Sequence, residues 1–484
     1  MRRMTTTAGF DRDAAKAFVA DLWERSIVPE IAEYIEIPAK SPMFDPAWAD
    51  SGHIDRAVEH VARWCSDRPL MGAKLRVARL PGRTPVIVID VPATDPDAKG
   101  TVLLYGHLDK QPEMTGWREG LGPWKAVRQG DRLYGRGGAD DGYAAYASLA
   151  ALEAVRGHGG RHARAVVLIE ASEESGSPDL PAHLEALADV IGSPDLVVCL
   201  DSGCGDFERL WVTTSLRGIV TGTLAIDILR EGVHSGDAGG VVPSSFRIAR
   251  TLLSRLEDET DGSIRLEALH APIPEARRQQ AARAGDVLGA VTATRFPFVD
   301  GAHAPDTTPA ERVLDRTWRP ALEVTGADGV PPLVAAGNVL RPTTRLKLSL
   351  RLPPTVDAQA AAAAVKATLE ANPPCGAHVS FTPDAPGTGW EAPPLAPWLE
   401  TAADAASQAS FGTSAAFMGE GGSIPFMAML GRQFPEAQFL ITGVLGPQTN
   451  AHGPNEFLHV PYATTLTACV ADVLDRHARR ATSS

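Results

Sequence analysis

Five short segments of this 484-residue chain carry acidic and histidine side chains of the kinds that bind divalent metal ions. In chain order they are His107-Leu108-Asp109, Asp140-Asp141, Glu173-Glu174, Asp201 and His452. Imidazole nitrogens and carboxylate oxygens suit such ions, and two ions about 3.5 Å apart need a bridging carboxylate plus terminal ligands on each side. Three carboxylates and two histidines would meet that need and leave a further acidic group as a base. The sequence therefore predicts a two-metal hydrolytic centre.

The first, third and fourth segments each follow a run of residues typical of a buried β-strand. Residues 101–105 end at Gly106, residues 165–169 lead to Glu173, and residues 195–200 end directly before Asp201. In open α/β sheets, ligand sites lie outside the carboxyl ends of the strands. We therefore expect three strands to bring five candidate groups to one edge of a sheet.

Each segment taken alone has a simpler interpretation. A lone His-x-Asp is usually a surface pair, and an acidic dipeptide often begins a helix, where its carboxylates accept free backbone N–H groups. The joint occurrence of the segments, in order and at successive strand ends, favours the metal centre. A metal-binding histidine also needs a partner for its second ring nitrogen, and Asp109 can serve His107 in that way.

The surrounding residues form a specific set of motifs. They are Gly-His-Leu-Asp (106–109), Tyr-Gly-Arg-Gly-Gly-Ala-Asp-Asp (134–141), Glu-Glu-Ser-Gly-Ser (173–177), His-Ser-Gly (234–236), Glu-Gly-Gly-Ser-Ile-Pro (420–425) and His-Gly-Pro-Asn-Glu (452–456). With them the chain resembles the M20 metallopeptidase family, and within it the carnosinase-type dipeptidases. The resemblance extends over nearly the whole chain.

The resemblance implies a role for each candidate group of the metal centre. Asp140 would bridge two metal ions, with Glu174 and His452 completing one site and His107 and Asp201 the other. Glu173 would be the base that takes a proton from a metal-bridging water and delivers it to the leaving amine. In the family the peptide bond after the bridging aspartate is often cis, which implies the same for Asp140-Asp141.

The resemblance also implies residues that recognise the substrate. His234 matches a lid histidine that reaches into the partner's active site in dimeric relatives and stabilises the oxyanion, so a homodimer formed through the lid is expected. Arg351 matches the arginine that binds the substrate's terminal carboxylate, and Asn338 lies in a neighbouring segment. The loop that receives the carboxylate end would consist of Gly421, Gly422 and Ser423.

Two departures from the family pattern bear on the substrate. Relatives usually continue Asp-Asp-Lys-Gly, whereas Gly142 follows Asp141 in this chain. Relatives also commonly carry Arg-Glu-Gly-Gly-Ser, and here Gly419 precedes Glu420. We therefore expect a positive charge to be missing near the substrate pocket at two points.

The length of the chain favours two domains, because one core rarely serves so many residues. The predicted fold class is α/β, with a di-metal aminopeptidase-like catalytic domain and an inserted α+β lid or dimerisation domain. We predict the catalytic domain over residues 1–211 and 387–484 and the lid over residues 212–386. Strands are expected at residues 216–228 and 344–352, and helices at residues 12–37, 244–256, 358–369 and 463–477.

Composition restricts the partners and the compartment. The net charge is −13 and no basic stripe is present, which argues against nucleic acid as a partner. No stretch approaches about 18 consecutive apolar residues, and the basic first residues precede no apolar segment, so neither a membrane span nor a signal peptide is expected. Five scattered cysteines argue against a disulfide framework. These features predict a cytoplasmic protein.

The sequence thus predicts a hydrolase that cleaves the amide bond of a dipeptide or short peptide, with two divalent ions per subunit. Zinc is favoured, and manganese or cobalt would suit the same ligands. The alternatives are an N-acyl amino acid amidohydrolase, a biosynthetic enzyme that forms amide bonds on the same centre, and a scaffold without catalysis. The scaffold is disfavoured because it has no reason to keep Glu173 together with five metal ligands.

Overall fold

The computed structural model describes residues 9–422 and 425–480 of the chain. Its strands are β1 (Lys74–Ala78), β2 (Val86–Val91), β3 (Thr101–His107), β4 (Val127–Gln129), β5 (Arg132–Tyr134), β6 (Arg164–Glu170), β7 (Leu196–Cys199), β8 (Trp211–Leu216), β9 (Gly218–Asp227), β10 (Val233–His234), β11 (Ala321–Asp328), β12 (Val339–Leu340), β13 (Thr343–Leu352), β14 (His378–Pro383), β15 (Trp390–Glu391), β16 (Ala416–Glu420), β17 (Gln438–Ile441) and β18 (Phe457–His459).

Helices connect and cover these strands. They are α1 (Arg12–Leu22), α2 (Val28–Ile35), α3 (Trp48–Ser51), α4 (His53–Ser66), α5 (Ala144–Gly157), α6 (Leu180–Ala186), α7 (Ala188–Ile191), α8 (Ser235–Ala238), α9 (Ser245–Leu253), α10 (Glu275–Leu288), α11 (Val291–Thr294), α12 (Pro309–Thr317), α13 (Ala358–Glu370), α14 (Pro397–Phe411), α15 (Pro425–Gln433) and α16 (Val460–Arg479). Within the described residues, no helix has both the length and the apolar character of a transmembrane segment.

The largest sheet has six strands in the order β1-β2-β6-β3-β7-β17. Strand β3 runs parallel to β6 on one side and to β7 on the other. Its apolar residues alternate between two cores: Val102 and Leu104 pack on one face of the sheet, and Leu103 and Tyr105 on the other. A strand that is buried on both faces needs an unbroken apolar run, which is what the sequence has at this position.

Helix α5 lies on one face of this sheet and is buried along almost its whole length. Its sequence is rich in alanine, and small side chains allow the close approach of β3, β6 and α16, which all contact it. The helix begins at Ala144, three residues after Asp141, so the central packing of the domain fixes the position of the Asp140-Asp141 turn.

A second sheet, with the order β11-β13-β9-β14, has a core of its own. Strand β13 alternates buried and half-buried residues, and helices α9 and α13 pack against the sheet. One buried and one partly solvated face explain this alternation, which differs from the pattern of β3. The core of this sheet consists of residues between Val220 and Phe381.

The observed architecture confirms the predicted fold class, an α/β catalytic domain with an inserted α+β lid. The boundaries at residues 211 and 386 stay a prediction. All the predicted strands and helices are present to within a few residues, except that the expected helix over residues 12–37 is divided into α1, a π-helical turn at Trp23–Ile27 and α2.

Candidate metal centre

The carboxyl ends of β6, β3 and β7 meet at one edge of the large sheet, as expected. His107 is the last residue of β3, Glu173 begins a 3₁₀ turn just after β6, and Asp201 follows β7. Because these strands are parallel neighbours, their ends place the three side chains close together.

Asp140 reaches the same edge from the turn Gly138–Gly142, which precedes α5. The backbone of Asp140 and Asp141 is not helical, and the peptide bond between them is cis, as the family resemblance implied. His452 comes from the loop before β18 and has a positive φ of 64°. The site therefore combines chain segments from both sides of the inserted lid.

These residues form two groups whose nitrogen and oxygen atoms lie within 4.8 Å of one another: His107, Asp140 and Asp201, and Asp140, Glu174 and His452. In the first group, His107 Nε2 lies 3.5 Å from Asp140 Oδ1 and 3.8 Å from Asp201 Oδ2. In the second, His452 Nε2 lies 3.0 Å from Asp140 Oδ2 and 3.4 Å from Glu174 Oε2. Asp140 is the one residue that belongs to both of these groups.

The spacing of these atoms fits a pair of divalent ions. Ligands at 2.0–2.2 Å from a tetrahedral ion lie about 3.3 Å from one another, close to the separations in both groups. His107 Nε2 is buried and has no hydrogen-bond partner among the described residues, although carboxylates flank it on two sides. A buried nitrogen without a partner is costly, and a cation between it and the carboxylates would satisfy it.

Asp109 contacts two parts of the site, the ring of His107 and the backbone of the two glutamates. Its backbone oxygen is 3.1 Å from Nδ1 of His107, and its Oδ1 is 3.4 Å from the same nitrogen. Its carboxylate also accepts the backbone N–H groups of Glu173 at 3.0 Å and Glu174 at 2.9 Å. The sequence predicted the contact of Asp109 with His107. It did not reveal the hydrogen bonds from Glu173 and Glu174, which hold the Glu173–Ser175 turn at the site.

The side chains of the two adjacent glutamates have different surroundings. Glu174 Oε2 belongs to the second group and accepts a hydrogen bond of 2.5 Å from Gln111. The carboxylate of Glu173 has no hydrogen bond to any other described residue. Its oxygens are therefore available to exchange a proton with a bound molecule.

Burial and the concentration of acids shift the pKa values of the site. Burial raises the pKa of Glu173 well above its usual range, and the charge of Asp201 raises it further. Burial and the charge of Asp140 raise the pKa of Glu174 to about 8. Burial alone would lower the pKa of His107, but the neighbouring carboxylates of Asp109, Asp140 and Asp201 outweigh it and raise that pKa. Cations between these groups would relieve the repulsion among the carboxylates.

A buried ion pair joins the loop of His452 to the segment before Asp140. Nη1 of Arg136 lies 2.5 Å from Oε2 of Glu456, and the two side chains are 1% and 0% exposed. Arg136 also donates to the backbone oxygens of His452 at 3.2 Å and Gly453 at 2.9 Å. Both residues lie in the sequence motifs, but a single sequence does not reveal which charges are paired, so their pairing could not be predicted.

The structure explains the glycine at position 142. A Cβ there would overlap the ring of Tyr34 and lie 2.7 Å from the carbonyl oxygen of Gly137. The ammonium group of Lys110 lies 3.8 Å from the centre of the same ring and donates to the backbone oxygens of Tyr34 at 2.7 Å and Ile37 at 2.8 Å. A lysine is thus present nearby, but burial lowers the pKa of Lys110 well below its usual range, so the missing charge at position 142 stays a prediction.

The second expected gap in positive charge is corrected by the structure. A Cβ at Gly419 would overlap Ser215, which leaves no room for an arginine. Arg316 of α12 instead lies 2.8 Å from Oε2 of Glu420, and Nε of Arg217 donates to the backbone oxygen of Gly421 at 3.2 Å. Positive charge reaches this loop from distant segments of the chain, which the local motif does not reveal.

The remaining predicted residues lie on the lid or in the loop beside it. His234 and Asn338 are neighbours, since the Ser235 N–H donates to the backbone oxygen of Asn338 at 2.9 Å. Both are exposed, and neither has a hydrogen bond or ion pair with the five candidate ligands over residues 9–422 and 425–480. Arg351 is half-buried near the end of β13, while Gly422 is exposed and Ser423 lies outside the described residues.

The sequence and the fold are similar to those of known peptidases. A family model described as peptidase family M20/M25/M40 matches residues 103–476. A cysteinylglycine-S-conjugate dipeptidase from Corynebacterium striatum is 29% identical over 371 residues, which are 75% of this chain and 79% of that protein. A Cys-Gly metallodipeptidase from Saccharomyces cerevisiae is 26% identical over 359 residues, 70% of this chain and 72% of that protein. The solved structure of human carnosine dipeptidase 1 matches 97% of this chain and 99% of its own, with a TM-score of 0.75 at 21% identity.

Proposed function

This chain belongs to peptidase family M20/M25/M40, and we propose that within this family of hydrolases it cleaves the amide bond of dipeptides. The observation that carries the proposal is the position of Glu173. Its carboxylate has no hydrogen-bond partner in the described chain, and it adjoins two groups of candidate ligands that share Asp140. The names of two relatives, a cysteinylglycine-S-conjugate dipeptidase and a Cys-Gly metallodipeptidase, support dipeptides as the substrate class.

The residues that would hold two divalent cations are His107 and Asp201 on one side, Glu174 and His452 on the other, and Asp140 between them. When bound, the cations would polarise the scissile carbonyl and lower the pKa of water toward neutrality. Zinc suits this set of imidazole and carboxylate ligands, and manganese and cobalt are the alternatives to be tested.

Glu173 would perform the proton transfers. As a carboxylate it accepts a proton from the attacking water, and as a carboxylic acid it donates that proton to the leaving amine, so that one residue serves both halves of the reaction. Asp109 fixes the turn that carries Glu173 and so orients the base. A positioned base of this kind contributes typically about 10²–10⁴-fold to the rate.

Recognition of the substrate would come from the lid and from the loop after β16. We propose that Arg351, with Gly421, Gly422 and Ser423, binds the terminal carboxylate, and that Asn338 adds a polar contact. His234 is exposed on the lid and has no contact with the ligands of its own chain, which agrees with its acting on the site of a second subunit in a homodimer.

The test is turnover of the purified protein, with its metal content measured, against free dipeptides and the corresponding N-acylated amino acids, each with zinc and with manganese. The proposal expects cleavage of free dipeptides. Turnover of acylated substrates alone would instead make the protein an amidohydrolase, and turnover of neither class with two metal ions bound per chain would overturn the hydrolytic assignment.

A further inference from the structure

A cavity of about 1120 Å³ lies between the helices α10 to α12 and the first residues of β11. Six arginines line it: Arg217, Arg278, Arg295, Arg312, Arg316 and Arg319. Only three acidic residues share the lining: Asp261, Asp315 and Glu323. The chain as a whole has a net charge of −13, so the charge of this wall is opposite in sign to that of the whole chain. A cavity with such walls attracts and selects anions.

The neighbouring carboxylates neutralise only part of this charge. Arg319 is paired with Asp315 at 2.5 Å and with Glu311, and Arg316 is paired with Glu420. Arg295 forms no ion pair with any carboxylate of the described residues, and its guanidinium lies 5.6 Å from the centre of the Phe296 ring. The half-buried Arg295 therefore keeps its charge available to a ligand.

A second arginine of the cavity wall, Arg312, also forms no ion pair with a carboxylate of the described residues. Arg312 donates to the backbone oxygen of Pro305 at 2.9 Å, and its Nε is buried without a hydrogen-bond partner in the described parts of the chain. Burial, together with the nearby charges of Arg351 and Arg316, lowers the pKa of Arg217 to about 10.

The cavity adjoins the place where we propose that the carboxyl end of a substrate binds. Two of its wall residues, Arg217 and Arg316, contact Gly421 and Glu420 in that loop. On its other side, Glu420 lies next to Gly203, where an added Cβ would be 2.9 Å from Oε1, and Gly203 is two residues from Asp201. Glu420 thus borders the cavity on one side and the segment of Asp201 on the other.

We propose that this cavity is a specificity subsite for a carboxylate side chain on the C-terminal residue of the substrate. The favoured dipeptides would end in aspartate or glutamate, with Arg295 and Arg312 as the groups that recognise the second carboxylate. Guanidinium groups bind carboxylates in a bidentate manner and discriminate strongly against neutral amides of the same shape. This inference rests on the proposed function and extends it from dipeptides in general to acidic dipeptides.

The test compares kcat/KM for Ala-Glu and Ala-Gln, which differ only in the charge of the side chain. For the unmodified protein we expect a preference for Ala-Glu of about tenfold or more, because a buried charged site rejects a ligand that lacks the matching group. Arg295→Gln should reduce that ratio toward one. Arg283→Gln removes the same charge from the exposed surface of α10, outside the cavity lining, and should leave the ratio unchanged.

A charge reversal separates recognition from a folding defect. Arg295→Glu should make Ala-Lys a better substrate relative to Ala-Glu, whereas a misfolded variant would lose both activities together. Equal kcat/KM values for Ala-Glu and Ala-Gln in the unmodified protein would overturn the inference and leave the proposed dipeptidase function intact.

Two further measurements decide the remaining outcomes. If no dipeptide is cleaved, the proposed function fails, and calorimetric binding of Ala-Glu and Ala-Gln to the metal-loaded Glu173→Gln variant tests the subsite alone. Equal binding of the two dipeptides would overturn the subsite as well. Inorganic phosphate tests whether the cavity binds a separate anion. The inference is wrong if phosphate changes the turnover of Ala-Gln, Arg295→Gln abolishes that change, and the unmodified protein shows no preference for Ala-Glu.

Discussion

Arg136 and Glu456 form a fully buried ion pair, 2.5 Å between Nη1 and Oε2, that fixes the loop of His452 against the turn leading to Asp140. Glu456 also accepts the backbone N–H of Gly137 at 2.8 Å through its other oxygen. Both carboxylate oxygens are therefore used to join two segments that each contribute a candidate ligand. The pair positions the second ligand group without being part of it.

Removal of one member of this pair should destabilise the protein and weaken the metal site. Glu456→Gln leaves the guanidinium of Arg136 buried without a carboxylate, and breaking a buried pair in this way costs about 3–5 kcal/mol. Urea unfolding and metal analysis measure the two effects. Asp21→Asn is the matched control, because its pair with Arg25 is solvent-exposed and should contribute no more than about 1 kcal/mol. Equal stability of the two variants would contradict the assigned role.

Replacement of the proposed base should abolish turnover and leave the metal in place. Glu173→Gln keeps the size of the side chain and the backbone hydrogen bond to Asp109 but cannot accept a proton, so kcat should fall by about 10²–10⁴-fold. Metal content per chain should be unchanged. Glu185→Gln, on the exposed side of α6, is the control for loss of a glutamate charge. A Glu173→Gln protein with most of its activity would rule out this role.

Metal binding should stabilise the fold through Asp140. A ligand present at 100 times its dissociation constant adds about 2.7 kcal/mol to the free energy of unfolding, so the melting temperature should fall when a chelator is added. Asp140→Asn should remove most of this response, because Asp140 belongs to both groups. Glu33→Gln is the control, because Glu33 belongs to a separate group of side chains with Glu30 and His60. In this variant the chelator should lower the melting temperature as much as in the unmodified protein. An unchanged response in Asp140→Asn would argue against the shared ligand.

Complementation between variants should reveal whether His234 acts across a dimer. His234→Ala and Glu173→Gln should each be inactive alone. When they are mixed and allowed to exchange subunits, mixed dimers would contain one site with both residues intact, so about a quarter of the normal activity should return. No recovery, despite exchange shown by mass measurement, would place the action of His234 within its own chain.

Glu153, away from the metal centre, should make stability depend on pH. Burial raises the pKa of Glu153 from 4.5 to about 7, while Arg68, 3.8 Å away, only partly opposes this. The unfolded chain releases this proton at a lower pH than the folded chain. The free energy of unfolding therefore falls as the pH rises from about 4.5 to about 7, and this group causes no further decrease above pH 7. Glu153→Gln stays neutral, so thermal unfolding should show a smaller decrease over that range. A variant with the same pH profile as the parent would contradict this.

The positions of His107, Glu174 and Asp201 could be predicted because each follows a strand whose apolar run is evident in the sequence. His107 and Asp201 lie within two residues of a strand end, so an error of one or two residues in a boundary does not move them from the sheet edge. The lid strands were equally predictable, since β13 alternates apolar and polar residues.

What the sequence did not reveal were contacts between distant segments. Gly142 indicated the loss of a lysine, whereas the ring of Tyr34 fills the space that its side chain would need. Gly419 likewise indicated a lost arginine, and Arg316, over 100 residues earlier, pairs with Glu420 instead. Such replacements depend on tertiary packing and leave no local pattern.

His452 and Asp140 are 312 positions apart in sequence, and the whole of the inserted lid lies between them, yet their side chains are 3.0 Å apart. Closing a loop of this length costs chain entropy, so we expect contacts of such long range to form late in folding. A nascent chain that has emerged from the ribosome only as far as Asp201 would contain the first ligand group and Glu173 but not the second ligand group. Competence to hydrolyse peptides would therefore be delayed until the segment after the lid has docked, which would keep incomplete chains inert during synthesis.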